Sequence, residues 1–209
     1  VRPRLNQLTT FLERNSLRKL VYYVATTLDG FIAGPDGGDP SAQSFFPVTS
    51  DLIKFITTEF PETLPAPARE AMGIDGPGDV FDTVLEGRVS YEIGLAAGLD
   101  DAYPHLRHLV FSTTLSTVTG SNIEIVTGDV LDRVRNLKAE EGNDIWLVGG
   151  GKLAHSLLPE IDRLVIKQNP AVIGSGIPMF DGPFEPTVFT AVHARLLESG
   201  VRVVTLDRA

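Results

Sequence analysis

The sequence predicts one α/β domain of three layers: a mostly parallel central sheet, helices on both of its faces, and an antiparallel hairpin at the C-terminal edge. Three observations predict it. Short β-branched or apolar runs recur along the chain, each ending at a turn residue. Helix-period stretches lie between several of them, which argues for βαβ units and parallel pairing. The last two strand-like runs are joined by a turn too short for a crossover, so they must pair antiparallel.

Taken in order, residues 1–18, "VRPRLNQLTTFLERNSLR", form a polar, weakly amphipathic lead-in or tail, and the domain is expected over 19–209. Strands are expected at Leu20 to Ala25, Thr83 to Leu85, Leu109 to Ser112, Ile123 to Val126, Ile145 to Val148 and Leu164 to Lys167. Helices are expected at Val130 to Glu140 and Lys152 to Leu158. The tail, "TVFTAVHARLLESGVRVVTLD", reads as two strands turning at Glu198, Ser199 and Gly200. Residues 34–47 and 61–79 hold most of the Pro and Gly and read as long loops, the first on the substrate side.

Composition excludes several classes of function. With 209 residues, 43% of them hydrophobic, the chain can bury one core. Its net charge of -9, without a segregated basic stripe, argues against nucleic acid as a partner. The absence of cysteine rules out disulfides, thiolate metal sites and a cysteine nucleophile. No apolar run approaches the ~20 residues of a membrane helix and no signal-peptide pattern begins the chain, so a cytoplasmic protein without membrane contact is expected.

The chemistry gathers at strand ends. "IWLVGGGKLAHSLL" places Gly149, Gly150 and Gly151 between a strand and a helix. Such a turn can simply meet a need for unusual backbone angles, or it can bring free N–H groups and the positive helix end to a pyrophosphate. The run matches neither the Gly-x-Gly-x-x-Gly dinucleotide fingerprint nor a P-loop. A second strand end, "VLEGRVSYE", offers amides, a hydroxyl and the Arg88 guanidinium; a third, "LVFSTTL", offers Ser112, Thr113 and Thr114, residue types that also serve as caps and turn formers. Ligands of open parallel sheets gather beyond the carboxyl ends of strands, where all three segments lie.

The succession "VYYVATTLDGFIAG", "LEGRVSYE", "VFSTT", "LVGGGKLAHSLLPEIDRLVI" and "GSGIPMFDG" resembles the dihydrofolate reductase-like superfamily, and within it the reductase domain of the riboflavin-biosynthesis deaminase-reductase, over residues 19–209. The resemblance implies NADPH. It implies that Ala25 and Ile32 hold the nicotinamide carboxamide through their backbone. Gly87, Arg88, Val89 and Ser90 would take phosphates, with Arg88, Ser112 and Thr113 near the adenosine 2'-phosphate. Gly149, Gly150, Gly151, Lys152 and Leu153 would form the pyrophosphate turn, with a cis peptide between the first two glycines. It also points to a homodimer.

Remaining candidates are few. Asp51, in "FFPVTSDLIKF", stands where dihydrofolate reductases carry the acid that orients the pterin, and is the catalytic candidate; its alternative role is in the first turn of a helix. Asp29 is expected to fix a loop. His105 and His108 have the spacing of two imidazoles on one helical face but lack a third ligand, so no metal is expected. The functional expectation is an NADPH-dependent reductase passing hydride to a C=N or C=O carbon of a small heterocycle, with no proton donor evident beyond water or Asp51. The rivals are a true dihydrofolate reductase and a nucleotide-binding protein without catalysis.

Overall fold

The computed structural model describes residues 17–116 and 122–209. The expected lead-in lies outside the described residues except for its last two. Of these, Arg18 already belongs to the packed structure: it is buried, its guanidinium pairs with Asp82 and Thr83, and its amide donates to the Lys138 carbonyl.

Ten strands and five helices follow in the described residues. The strands are β1 (Leu20–Thr26), β2 (Phe31–Ala33), β3 (Phe81–Gly87), β4 (Arg107–Phe111), β5 (Ile123–Val126), β6 (Asp144–Gly149), β7 (Ile161–Gln168), β8 (Ile177–Pro178), β9 (Phe189–Leu196) and β10 (Arg202–Arg208). The helices are α1 (Ser50–Glu59), α2 (Ala66–Ala71), α3 (Arg88–Ala96), α4 (Val130–Lys138) and α5 (Gly151–Ser156). Eight strands form one sheet in the order β5-β4-β3-β6-β1-β7-β10-β9. Pairings from β5 through β7 are parallel, and β10 pairs antiparallel with both β7 and β9. The expected sheet and hairpin are therefore present, with Glu198, Ser199 and Gly200 between β9 and β10.

Alternation along the strands distributes two cores. Leu20, Tyr22, Leu85, Leu109 and Leu147 face one side of the sheet with α4 and α5; Val21, Tyr23, Val84 and Trp146 face the other with Phe55 of α1. α4 begins where its sequence says it should. Asp129 accepts hydrogen bonds from the amides of Leu131 and Asp132, and Arg135 and Lys138 stand in the last turn.

Two expectations change. The segment 61–79 is not one loop: a 3-10 turn at Pro61–Thr63 and α2 occupy its first half, because prolines at the first helical positions favour helix starts. Glu62 of that turn is buried and accepts from the amides of Val80 and Phe81, fixing the start of β3. His105 and His108 do not share a helix. The first lies in a turn against the Glu62 carbonyl and the second is in β4.

Candidate cofactor and substrate cleft

The sheet opens at one point. β1 is paired with β7 along its whole length, from Leu20 to Thr26, but with β6 only from Leu20 to Tyr22. Beyond Tyr22 and Leu147 the two strands part, and their carboxyl ends border a cavity of about 1120 Å³. Its walls include Tyr23, Val24 and Ala25 of β1 and Val148 and Gly149 of β6. A split between parallel strands at their carboxyl ends is where an open α/β sheet accepts a ligand.

One end of the cavity is built from glycine backbone. The Gly149–Gly150 peptide is cis, as the resemblance implied, and Gly149 has φ +141, a conformation that side chains disfavour. The other two glycines have different reasons. A Cβ on Gly151 would lie 2.3 Å from the Pro178 carbonyl oxygen, so Gly151 lets α5 pack on β8. A Cβ on Gly150 would meet nothing within 4 Å, so its backbone faces open space. Gly87 stands opposite, its added Cβ 3.6 Å from the Gly150 nitrogen. From Gly87 starts α3, nine residues long with no side-chain cap, and the first amides of a helix have no acceptor within it. Arg88, Val89 and Ser90 line the cavity here, as do Gly151, Lys152 and Leu153. Bare backbone, uncapped amides and a guanidinium fit the diphosphate of a dinucleotide.

The other end is apolar and aromatic. Tyr23, Phe46, Leu52, Ile56, Tyr103 and Trp146 line it, so the loop 34–47 does contribute to the wall. Ala25 and Ile32 border the cavity between the two ends. Asp29 has the structural task expected of it: its carboxylate accepts from the Thr27 hydroxyl and the Ile173 and Gly174 amides, tying the β1–β2 turn to the loop before β8.

Three expected residues are not part of the cavity wall. Asp51 is the first of them. Its carboxylate accepts from the Thr49 hydroxyl at 2.5 Å, the Leu52 amide at 2.8 Å and the Ser199 amide at 2.7 Å, which holds it well below the usual carboxylate range, the Thr49 hydrogen bond contributing most. Both oxygens are thus engaged away from the cavity. Ser112 and Thr113 are the other two. The Ser112 hydroxyl accepts from the amides of Thr114 and Leu115 and so forms a turn, while Thr113 is exposed. Arg88 remains at the rim, 3.5 Å from Glu92 in an exposed pair.

Sequence reasoning missed two groups. His108, fully buried, bridges Glu86 through Nε2 at 2.7 Å and Asp101 through Nδ1 at 2.8 Å, with Glu86 in the cavity wall. Burial acts to lower its pKa, but the two carboxylates outweigh it and push it up to about 9. Lys167 at the end of β7 lines the aromatic end, where burial pushes its ammonium down to about 7. The one available signal for Lys167 was a lone basic residue within the apolar run "LVIKQ".

This architecture, a mostly parallel sheet flanked by helices and closed by a C-terminal antiparallel strand pair, is an α/β fold similar to that of solved riboflavin-biosynthesis proteins. The family model described as the RibD C-terminal domain matches residues 101–203. Among curated proteins the chain is similar to the uncharacterized protein YwjB of Bacillus subtilis (strain 168), 29% identical over 168 residues that cover 78% of this chain and 83% of the relative. It is also similar to YyaP of the same strain, likewise uncharacterized, 27% identical and covering 88% and 92%. Among solved structures, a protein of Shewanella sp. PV-4, provisionally described as a riboflavin biosynthesis protein, superposes with a TM-score of 0.67 at 21% identity, covering 91% of this chain and 99% of that one. The Thermotoga maritima diaminohydroxyphosphoribosylaminopyrimidine deaminase/5-amino-6-(5-phosphoribosylamino)uracil reductase superposes with a TM-score of 0.62 at 17% identity, covering 98% of this chain and 60% of that one. The family match supports a reductase-like function. Among the described residues, no helix is long and apolar enough to cross a membrane.

Proposed function

We propose that the chain is an NADPH-dependent reductase that delivers hydride to a C=N or C=O carbon of a small heterocyclic substrate. The observation that carries this reading is the shape of one continuous cavity. Glycine backbone and uncapped amides stand at one end, an aromatic chamber at the other, and the parted ends of β1 and β6 between them. When bound, the nicotinamide supplies the hydride; the protein supplies position and a dry environment. Gly87, Gly149, Gly150 and the first amides of α3 would hold the diphosphate, and the backbone of Ala25 and Ile32 the carboxamide. Arg88 would meet the 2'-phosphate: its exposed pair with Glu92 is worth little and leaves the guanidinium free to turn. Leu52, Ile56, Tyr103 and Trp146 would exclude water from the reacting ring. A folate reading loses its acid, because Asp51 is committed to Thr49, Leu52 and Ser199.

The reading extends to assembly. β9 is the sheet edge and nearly all of it is exposed, with Val192 and Leu196 both open to solvent. A second copy pairing along this edge would cover it.

The test is nicotinamide oxidation, followed by its near-ultraviolet absorbance, with pterins, aminopyrimidines and quinones as candidate acceptors. The proposal expects turnover with a member of the panel. Tight cofactor binding without turnover across all classes would instead favour a nucleotide-binding protein without catalysis.

A further inference from the structure

Lys167 is a cation without an anion. Its Nζ lies 3.6 Å from the centroid of the Tyr23 ring, and no carboxylate of the described residues forms an ion pair with it. The other charges on the cavity wall do not pair with it. Glu86 holds His108, Arg88 stands beside Glu92, Lys152 and Asp181 are at the glycine end, and Asp39, near Tyr103, has its own contacts. Around the aromatic end the wall includes Tyr23, Phe46, Leu52, Ile56, Tyr103 and Trp146, with Thr63 beside Tyr23. The strand end that carries the lysine is fixed, since the buried Asn169 donates from Nδ2 to the Lys167 carbonyl at 3.2 Å and to the Thr26 carbonyl at 3.4 Å.

A purely structural reading explains this poorly. A cation–π contact offsets part of the desolvation of an ammonium, but an apolar side chain of the same length would fill the space with no such cost. An anion entering the chamber supplies what is missing, and in a poorly solvated place a charge-assisted hydrogen bond is strong.

We propose that Lys167 is the specificity-determining residue of the aromatic chamber, selecting planar aromatic ligands that carry an oxyanion over neutral ligands of the same shape. The proposal rests on the reading of that chamber as the substrate end of the cleft. The depressed pKa of Lys167 accords with it, since a bound anion restores the charged form.

The probes are naphthalene-2-carboxylate and its neutral amide, which share size and planarity. They are titrated calorimetrically into the whole chain at about pH 6, where the carboxylate is ionised and Lys167 is protonated. The carboxylate is expected to bind about tenfold or more tightly than the amide. Lys167→Met should abolish that preference while leaving Tm unchanged or raised, and Lys167→Arg should keep it. Should Lys167→Met lower Tm, Lys167→Gln supplies the same comparison. Equal affinity for the two probes, no saturable binding of either, or a preference that survives loss of the charge overturns the proposal. NADPH titrated into the same samples separates the two readings: NADPH bound with indifference to probe charge counts against Lys167 alone, while no NADPH binding counts against the cleft itself.

Discussion

The carboxylate of Asp51, in the first turn of α1, accepts a hydrogen bond from the Ser199 amide at the tip of the β9–β10 hairpin, 2.7 Å away and 148 positions along the chain. With its other oxygen on the Thr49 hydroxyl and the Leu52 amide, Asp51 ties a helix to a hairpin. Replacing it leaves the Ser199 amide without its partner. Asp51→Ala should therefore lower Tm while NADPH affinity stays within about twofold of the parent. An affinity loss without a fall in Tm would restore Asp51 to the binding machinery.

Arg88 is the cation at the start of α3, where the extra phosphate of NADPH would lie. The parent should bind NADPH more tightly than NADH by about 1–3 kcal/mol, the range for a charged hydrogen-bonded pair. Arg88→Ala should bring the two cofactors to equal affinity with Tm unchanged. Calorimetry on both proteins decides it; a preference that survives in the variant would move the 2'-phosphate elsewhere.

His108 gives the fold a pH dependence of definite sign. Its pKa rises on folding from 6.5 to about 9: burial opposes the charge, but Asp101 and Glu86 favour it more strongly. The native state therefore holds the proton more tightly than the unfolded chain. The stabilisation is complete below about pH 6.5 and is lost as pH rises through about 9. The buried Lys167 ammonium, pushed down to about 7, acts with the opposite sign over the same range, so urea unfolding is compared in the Lys167→Met background, where stability should fall with pH and a further His108→Gln change should flatten the slope. An unchanged slope in the variant would show that the proton is held elsewhere.

The exposed edge strand β9 makes assembly testable. Sedimentation at micromolar concentration should give a species near twice the 22.6 kDa of one chain. Val192→Lys, on that edge, should shift the species toward the monomer, since charge blunts edge pairing. A single monomeric species for the parent would count against pairing through β9.

Much of the sheet was legible because each strand is a short apolar run ended by a turn residue, and the Gly149–Gly151 turn announced itself by composition. What escaped was set by distance in space. Glu86, Asp101 and His108 are scattered in sequence, and the parallel register of β3 and β4, with Val84 opposite His108 and Glu86 opposite Val110, brings the buried Glu86 and His108 together, with Asp101 reaching His108 from the loop before β4. For Asp51 the sequence offers a substrate-orienting acid or a place in the first turn of a helix, but its third partner is a hairpin that no local pattern predicts. Ser112 had the chemistry of a phosphate ligand and used it on its own turn. The helical part of 61–79 was hidden because Pro reads equally as a loop residue and as a helix start.

Gly150 and Gly151 allow the most direct test of the cleft as a dinucleotide site. They are adjacent, yet a Cβ on Gly151 would collide with the Pro178 carbonyl, while one on Gly150 would enter open cavity. Gly150 also has φ -85, an angle open to any residue. The decisive measurement is NADPH affinity by calorimetry for Gly150→Val beside the parent, with Tm recorded for both. The account predicts an unchanged Tm and an affinity lowered by about tenfold or more, because the side chain would occupy the path of the diphosphate. A variant that melts like the parent and binds NADPH as tightly would contradict it.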